Sequence, residues 1–368
     1  MRHPDSSGRG DGYPRQTSTV NSGAVRKAPL RHRWGVILAG GDGTRLQPLT
    51  RLACGDNRPK QFCPLLGGET LLAHTRRRIS RTVEPDRVLF LLTKKHEPFY
   101  REELKYVPET QMIIQPYNQG TLPAILWSLV QIFRRDEHAL VAFFPSDHHF
   151  ANEDAFISTI ERTFNFVEEK GDLVILLGAG AERPETEYGW IEPESAPGGR
   201  LQHDFAPVRR FWEKPPLETA KDLLARRCLW NTFVMIGSVG AFLEMIRKAA
   251  PVLFETFTAA LPSDGLKSEE QKMRFVYDGL DSSDFSREVL ALSTERLFVA
   301  SCGEVGWSDL GEPRRFIAAL TENGADNPWA VADACNKCGL THEQIVTLSG
   351  QGKSSNTLHE PLMLTSFS

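Results

Sequence analysis

Three groups of residues in this sequence have the types and spacing of chemistry on a phosphate. The first is Gly40-Gly41-Asp42-Gly43-Thr44-Arg45-Leu46, directly after the apolar run Val36 to Ala39. Glycines let successive backbone N–H groups approach an anion without side-chain obstruction, so the turn reads as a phosphate loop. A dinucleotide fingerprint needs a third glycine where Leu46 stands, and a Walker loop needs Gly-Lys-Ser/Thr; neither pattern is present. The second group supplies fixed cations for the same anion: Arg45 inside the turn, and Arg58-Pro59-Lys60-Gln61-Phe62 shortly after it. The third is a pair of carboxylates. Asp147 ends the apolar run Ala139 to Phe144, where open α/β sheets place their ligand crevices, and Asp309 follows a second run, Leu297 to Cys302. Two carboxylates meeting over phosphates are the usual protein share of a Mg²⁺ site, so Asp147 and Asp309 are the candidate metal ligands. His148 and His149 are left without a role, because a hard cation beside phosphates prefers oxygen.

These residues must be positioned by a scaffold, and its pattern is readable. Short apolar runs at Val36 to Ala39, Val88 to Thr93, Ala139 to Phe144 and Leu173 to Gly178 read as buried parallel strands. Between them Phe156, Ile160, Phe164 and Val167 recur at helical spacing, as do Ile125, Leu129 and Ile132 after a Thr121 cap with Pro123 in the first turn. Alternating strands and helices imply an α/β fold with a mostly parallel central sheet, Rossmann-like and flanked by helices. From about 185 to 235 shorter strand-like pieces such as Val208 to Glu213, rich in Pro, Gly and aromatics nearby, suggest a lobe inserted over the sheet. Residues 1–33 hold seven basic and two acidic residues with few large apolar ones, and read as a disordered arm. The working division is therefore an arm at 1–33, a catalytic domain at 34–320 with one helix after Phe316, and a largely irregular extension at 321–368.

Composition narrows the function classes. The 368 residues carry 43 Lys and Arg against 47 Asp and Glu, a net charge of −4, so no global basic field points to nucleic acid. With 40% hydrophobic and 24% charged residues the chain is an ordinary globular one. No run approaches the roughly 18 apolar residues of a membrane helix, and the N-terminus has no secretory apolar region, so a cytoplasmic protein without a membrane partner is expected. The six cysteines are too sparse for a disulfide scaffold, and the Cys335/Cys338 pair lacks the second pair of a zinc ribbon.

The motifs, taken in order, resemble the sugar-phosphate nucleotidylyltransferases. The glycine turn and Pro59-Lys60 are followed by Gln115-Pro-Tyr-Asn118-Gln-Gly120-Thr121, Phe144-Pro-Ser146-Asp147-His148, Glu185-Thr-Glu-Tyr188-Gly189-Trp190, Glu213-Lys214-Pro215, Leu229-Trp230-Asn231 and Gly306-Trp307-Ser308-Asp309-Leu310-Gly311. The Pro-Lys-Gln-Phe, Ser-Asp-His, Trp-Asn and Gly-Trp-Ser-Asp forms are most similar to the mannose-1-phosphate guanylyltransferase branch. The resemblance covers about residues 34 to 315. It implies that a sugar 1-phosphate oxygen attacks the α-phosphorus of GTP, giving GDP-mannose and pyrophosphate with Mg²⁺ as cofactor. The nucleophile is already anionic, so no general base is needed. Arg45, Lys60, Asp147 and Asp309 would carry the catalysis. Ala39, Gly40, Gly41, Gly43, Thr44, Gln115 and Thr121, with Arg45, Lys60 and Asp147, would bind the nucleotide. Gly189, Glu213, Lys214 and Asn231 would bind mannose 1-phosphate. A homodimer is compatible with these expectations.

Three positions depart from the family pattern: Gln115 where an acidic residue is usual, Glu187 where Gly precedes Tyr-Gly, and Thr232-Phe233 where Ser-Gly follows Asn. An amide accepts through one oxygen only, so Gln115 leaves a uridylyl- or thymidylyltransferase open beside the guanylyl reading. A silent nucleotide-sugar sensor is the reading from another class; it would be expected to have lost a metal carboxylate or a loop cation, and none is lost here.

Overall fold

The computed structural model describes residues 32–66, 68–194, 205–261, 266–311 and 315. Nine strands form one sheet in the order Met112–Gln115, Val88–Thr93, Arg33–Leu38, Leu140–Pro145, Leu229–Ser238, Val174–Gly180, Leu297–Ser301, Phe205–Glu213 and Gly189–Pro193. The first four run parallel. Leu229–Ser238 then enters antiparallel to both neighbours, and Leu297–Ser301 restores a parallel pairing with Val174–Gly180.

Each central strand is apolar on both faces, and its residues alternate between two cores. Val36, Leu89, Leu91, Val141 and Phe143 pack on the side of helices Thr121–Arg135, Val239–Ala249, Pro251–Ala260 and Leu266–Asp278. Ile37, Phe90, Leu92, Ala142 and Phe144 face helices Leu71–Ile79, Glu97–Glu103 and Glu153–Lys170. Period-2 alternation between two covered faces explains why these runs are continuous rather than amphipathic.

One register places the site. Leu38 pairs with Pro145 at the carboxyl ends of two adjacent parallel strands, so the loops that follow, 39–46 and 146–150, open into the same crevice.

The structure corrects several expectations. The arm does not include Arg33: this residue begins the first strand at 2% exposure, donates to Glu161 Oε2 at 2.7 Å and to Asn165 Oδ1 at 3.1 Å, and stacks on Phe164. A guanidinium paired with a carboxylate is buried without an orphan charge, which its residue type alone does not announce. The 185–235 region has a small core of its own, Tyr188, Trp190, Ala220, Leu223, Cys228 and Trp230, but it is also continuous with the sheet. Its strands extend the sheet's far end, and Gly189–Pro193 pairs with both Phe205–Glu213 and Leu229–Ser238. Thr121 is the first residue of its helix rather than the cap; its hydroxyl accepts from Phe285 N–H at 2.8 Å, tying this helix to the 284–288 turn. Residues 1–31, the helix after Phe316 and the Cys335/Cys338 pair lie outside the described residues. Among the described residues no helix is long and apolar enough to cross a membrane.

Ile37, with no exposed surface in the central strand, gives a direct check of this core. Ile37→Ala is expected to cost about 2–5 kcal/mol in urea unfolding, whereas a cost under about 1 kcal/mol would mean that the first strand is not buried between the two helix layers.

Candidate active site

The glycine turn is held from behind by its carbonyls. Gln61 Nε2 donates to Ala39 O at 3.1 Å and to Gly41 O at 2.8 Å, and Thr93 Oγ1 donates to Gly40 O at 2.8 Å. Gly43 adopts φ 58°, in the left-handed region that favours glycine. Gly40 is required by contact instead, since a Cβ there would lie 2.6 Å from Gln115 Nε2. Asp42 accepts from His96 Nε2 at 3.0 Å. Burial opposes its ionisation, but His96 and Lys95 together hold its carboxyl below the ordinary value.

Lys60 crosses the crevice floor with a 9% exposed side chain. Its ammonium lies 3.0 Å from Asp147 Oδ2 and donates to the backbone carbonyl of Asp309 at 2.5 Å. Burial alone would raise the Asp147 carboxyl; the Lys60 charge and hydrogen bond, with His148, lower it overall. The Asp309 carboxylate is oriented by the Tyr188 hydroxyl at 2.6 Å, by Gly311 N–H at 3.0 Å, and by Arg315, which also reaches Glu185. Lys60 therefore ties the Asp147 carboxylate to the backbone of Asp309, while the Asp309 carboxylate has its own cation in Arg315, and the two sequence-predicted residues line one cavity.

A cavity of about 320 Å³ is lined by Gly43, Thr44, Arg45, Lys60, Asp147 and Asp309, among others. A second, of about 340 Å³, is lined by Gly40, Gly41, Gln115, Thr121, Ala124 and Ser146, among others, and Gly43, Asp147 and His148 line both. The first is ringed by charge and suits phosphates. The second is less polar, with Leu38, Leu91, Ala124 and Ile125 in its wall, as a nucleobase requires. Arg45 is largely exposed and bound to Glu187 at 3.1 Å, at the mouth.

Not every expected nucleotide contact is where the sequence suggested. Ala39 is fully buried beneath the turn, its N–H bonded to Leu91 O and its carbonyl to Gln61, so it supports the loop rather than lining the cavity. Gly189, Glu213 and Asn231 do converge: a Cβ on Gly189 would lie 3.1 Å from Glu213 Oε2 and 3.3 Å from the Asn231 Cβ. Lys214 is exposed beside them with φ 47°, its N–H on Tyr188 O at 3.2 Å. Burial and nearby Asp284 push the Glu213 carboxyl up, and Asp284 lines the larger cavity, so this cluster adjoins the crevice. Thr232 and Phe233 lie at the irregularity in Leu229–Ser238, where Phe233 takes φ 58° and its N–H bonds Asn231 Oδ1.

Sequence reasoning missed the supporting residues. His148 accepts from Trp307 Nε1 at 3.2 Å and so braces the Asp147 loop, and burial lowers its pKa. Gln61 and Tyr188 stood inside recognised motifs, which was the available signal. Tyr277 and Arg315 lay outside them.

The nucleotidyl transferase family model matches residues 34–324, most of the chain. The chain belongs to the nucleotidyl transferase family. Among curated relatives it is 29% identical over 298 residues to the xanthan biosynthesis protein XanB of Xanthomonas campestris, covering 79% of this chain and 60% of that protein. It is 30% identical over 292 residues to the mannose-1-phosphate guanylyltransferase ManC of Salmonella typhimurium, covering 75% and 57%. The chain thus spans under two thirds of the length of these relatives. Among solved structures it is similar to one titled mannose-1-phosphate geranyltransferase from Thermus thermophilus, with TM-score 0.67, 26% identity, and 78% and 79% of the two chains covered. This nucleotidyl transferase places its glycine turn and acidic loops around Lys60.

Replacing that lysine tests the arrangement. Lys60→Met is expected to cost about 2 kcal/mol near neutral pH, between the limits for exposed and buried pairs. A carboxyl lowered on folding contributes stability above its unfolded-state value and loses it as pH falls through the folded one. The penalty should therefore shrink in acid, read by urea unfolding across pH; a pH-independent penalty would show that the Asp147 pair is not its source.

Proposed function

We propose that the chain transfers the guanylyl group of GTP to mannose 1-phosphate, forming GDP-mannose and pyrophosphate. The observation that carries this reading is Lys60 tying Asp147 and Asp309 together beneath the glycine turn, with a second cavity adjoining at Asp147. The relatives named mannose-1-phosphate guanylyltransferase support the choice of base and sugar.

A sugar-phosphate oxygen bonds to the α-phosphorus as the bond to the β-bridging oxygen breaks, and pyrophosphate leaves with the charge. The nucleophile is an anion at neutral pH, so the protein's work is positioning and neutralisation. Lys60 and Arg45 face the triphosphate from the charged cavity. Lys214 holds the sugar phosphate, with Glu213, Asn231 and Gly189 around the sugar. Among the described residues no cluster of three or more His, Cys, Asp or Glu suits an all-protein metal cage. Two carboxylates beside a phosphate cavity fit Mg²⁺, which takes one or two carboxylates and completes its shell from phosphates and water. Asp147 and Asp309 would hold it, and when bound it would neutralise charge on the triphosphate.

One observation keeps a second reading, uridylyl or thymidylyl transfer, beside the first: the Gln115 oxygen is already bonded to the Tyr277 hydroxyl at 3.2 Å, so the amide meets the cavity with its nitrogen end. That end matches a pyrimidine carbonyl as well as a guanine one.

Pyrophosphate release over a grid of nucleotides and sugar 1-phosphates decides between them. The highest kcat/KM is expected for GTP with mannose 1-phosphate, lost on chelation of Mg²⁺; a preference for UTP or dTTP would overturn the guanylyl reading. Asp147→Asn and Asp309→Asn should each lower kcat at least about a hundredfold with the fold retained, and near-normal turnover in either would remove the shared site. Lys214→Ala should raise KM for the sugar phosphate and leave that for GTP unchanged; the opposite split would reverse the two phosphate assignments.

A further inference from the structure

We propose that Tyr277 fixes the side-chain amide of Gln115 so that it donates a hydrogen bond to a carbonyl of the nucleotide base, making Tyr277 a positioning residue that selects keto bases over amino bases. The inference rests on the nucleotidyl-transfer reading above and assigns to it a class of base.

Gln115 ends the strand Met112–Gln115 at 2% exposure and lines the larger cavity. The oxygen and nitrogen of an amide have nearly the same size, so its orientation is set by hydrogen bonds alone. Here two act together. The Leu92 backbone carbonyl, 3.4 Å away, can only accept, which places Nε2 on its side. The Tyr277 hydroxyl donates to Oε1 at 3.2 Å. Tyr277 has no exposed surface, and burial pushes its pKa far up, so the hydroxyl keeps its proton. Its ring is wedged among Trp127, Tyr117 and Phe257, with centroids about 6 Å apart, so it does not swing away.

With Oε1 turned to Tyr277, the end of Gln115 that stands beside the Gly40 wall of the cavity is Nε2, with its second N–H to give. That nitrogen stands against Gly40, where a Cβ would come within 2.6 Å of it, and Gly40 lines the same cavity. The neighbouring Thr93 hydroxyl is spent on the Gly40 carbonyl, so it does not offer the base a competing donor. Guanine and uracil carry a carbonyl where adenine and cytosine carry an amino group. An N–H held in place matches the first pair and opposes the second, and a buried mismatch of this kind is costly.

The test compares kcat/KM for pyrophosphate release within each ring size, GTP against ATP and UTP against CTP, at fixed mannose 1-phosphate. Wild type should favour the keto member of both pairs. Tyr277→Phe removes only the hydroxyl and should lower both ratios about tenfold. Gln115→Met should lower both at least as far, and adding Tyr277→Phe to it should change nothing more, since both act through one bond. A merely structural Tyr277 would lower all four values together and leave the ratios intact, which overturns the proposal. A fall in the GTP to ATP ratio alone overturns it too, because cavity shape would then be the selector. If Tyr277→Phe does not fold, unchanged ratios in Gln115→Met overturn it alone. Equilibrium dialysis with the same four triphosphates reads the same preference without turnover, so a wild type that transfers to no sugar phosphate refutes the proposed function while the base preference is still decided.

Discussion

Lys60 places an ammonium where a lone cation would be costly, 9% exposed on the floor of a crevice. It is kept there by Asp147 at 3.0 Å and by the Asp309 carbonyl at 2.5 Å, groups that arrive from loops 87 and 249 residues away in sequence. Each acidic loop brings a like charge toward the other, and both face a cavity suited to a polyanion. Lys60 on Asp147 and Arg315 on Asp309 offset that repulsion. The next residue, Gln61, holds two carbonyls of the glycine turn, so one short segment fixes the charge of the site and the shape of its phosphate loop together.

The sheet makes that meeting possible. Because Arg33–Leu38 and Leu140–Pro145 are parallel and end at the same level, the glycine turn and the Asp147 loop leave the sheet side by side. Leu297–Ser301 sits beyond Val174–Gly180, and the short pairing of Trp307–Ser308 with His149–Phe150 then carries Asp309 back across the crevice. His148 braces this return through Trp307. The Asp309 carboxylate is further held by Tyr188 and Arg315, so both acidic groups are fixed before any phosphate enters. A preoriented charge needs little reorganisation when the reaction moves negative charge onto the leaving group.

Much of this was legible in the sequence because it is local. The run Val88 to Thr93 is a strand with those bounds, and Asp147 follows a strand end as its apolar run suggested. The glycine turn announced itself by the absence of side chains. What was hidden depends on long-range pairing. The antiparallel entry of Leu229–Ser238 follows from neighbours remote in sequence, so the pieces around 185 to 235 read as a separate lobe although they complete the sheet. Arg33 looked like part of a basic arm because nothing nearby reveals Glu161 and Asn165. Gln115 was visible as a departure from its family, but its orienting hydroxyl comes from Tyr277, 162 residues away on the helix Leu266–Asp278.

The central claim is that this crevice works by position and charge, with direct transfer between two bound phosphates and no covalent intermediate. Ser146, the hydroxyl beside Asp147, is already donated to Leu38 O at 2.8 Å and is held away from a nucleophile's role. The stereochemical course at phosphorus tests this most directly, using a GTP analogue made chiral by sulfur at the α-phosphorus and mannose 1-phosphate as acceptor. A single in-line displacement inverts that centre, and inversion is the predicted result. Retention would require two displacements through a nucleotidyl-enzyme, and would contradict the account.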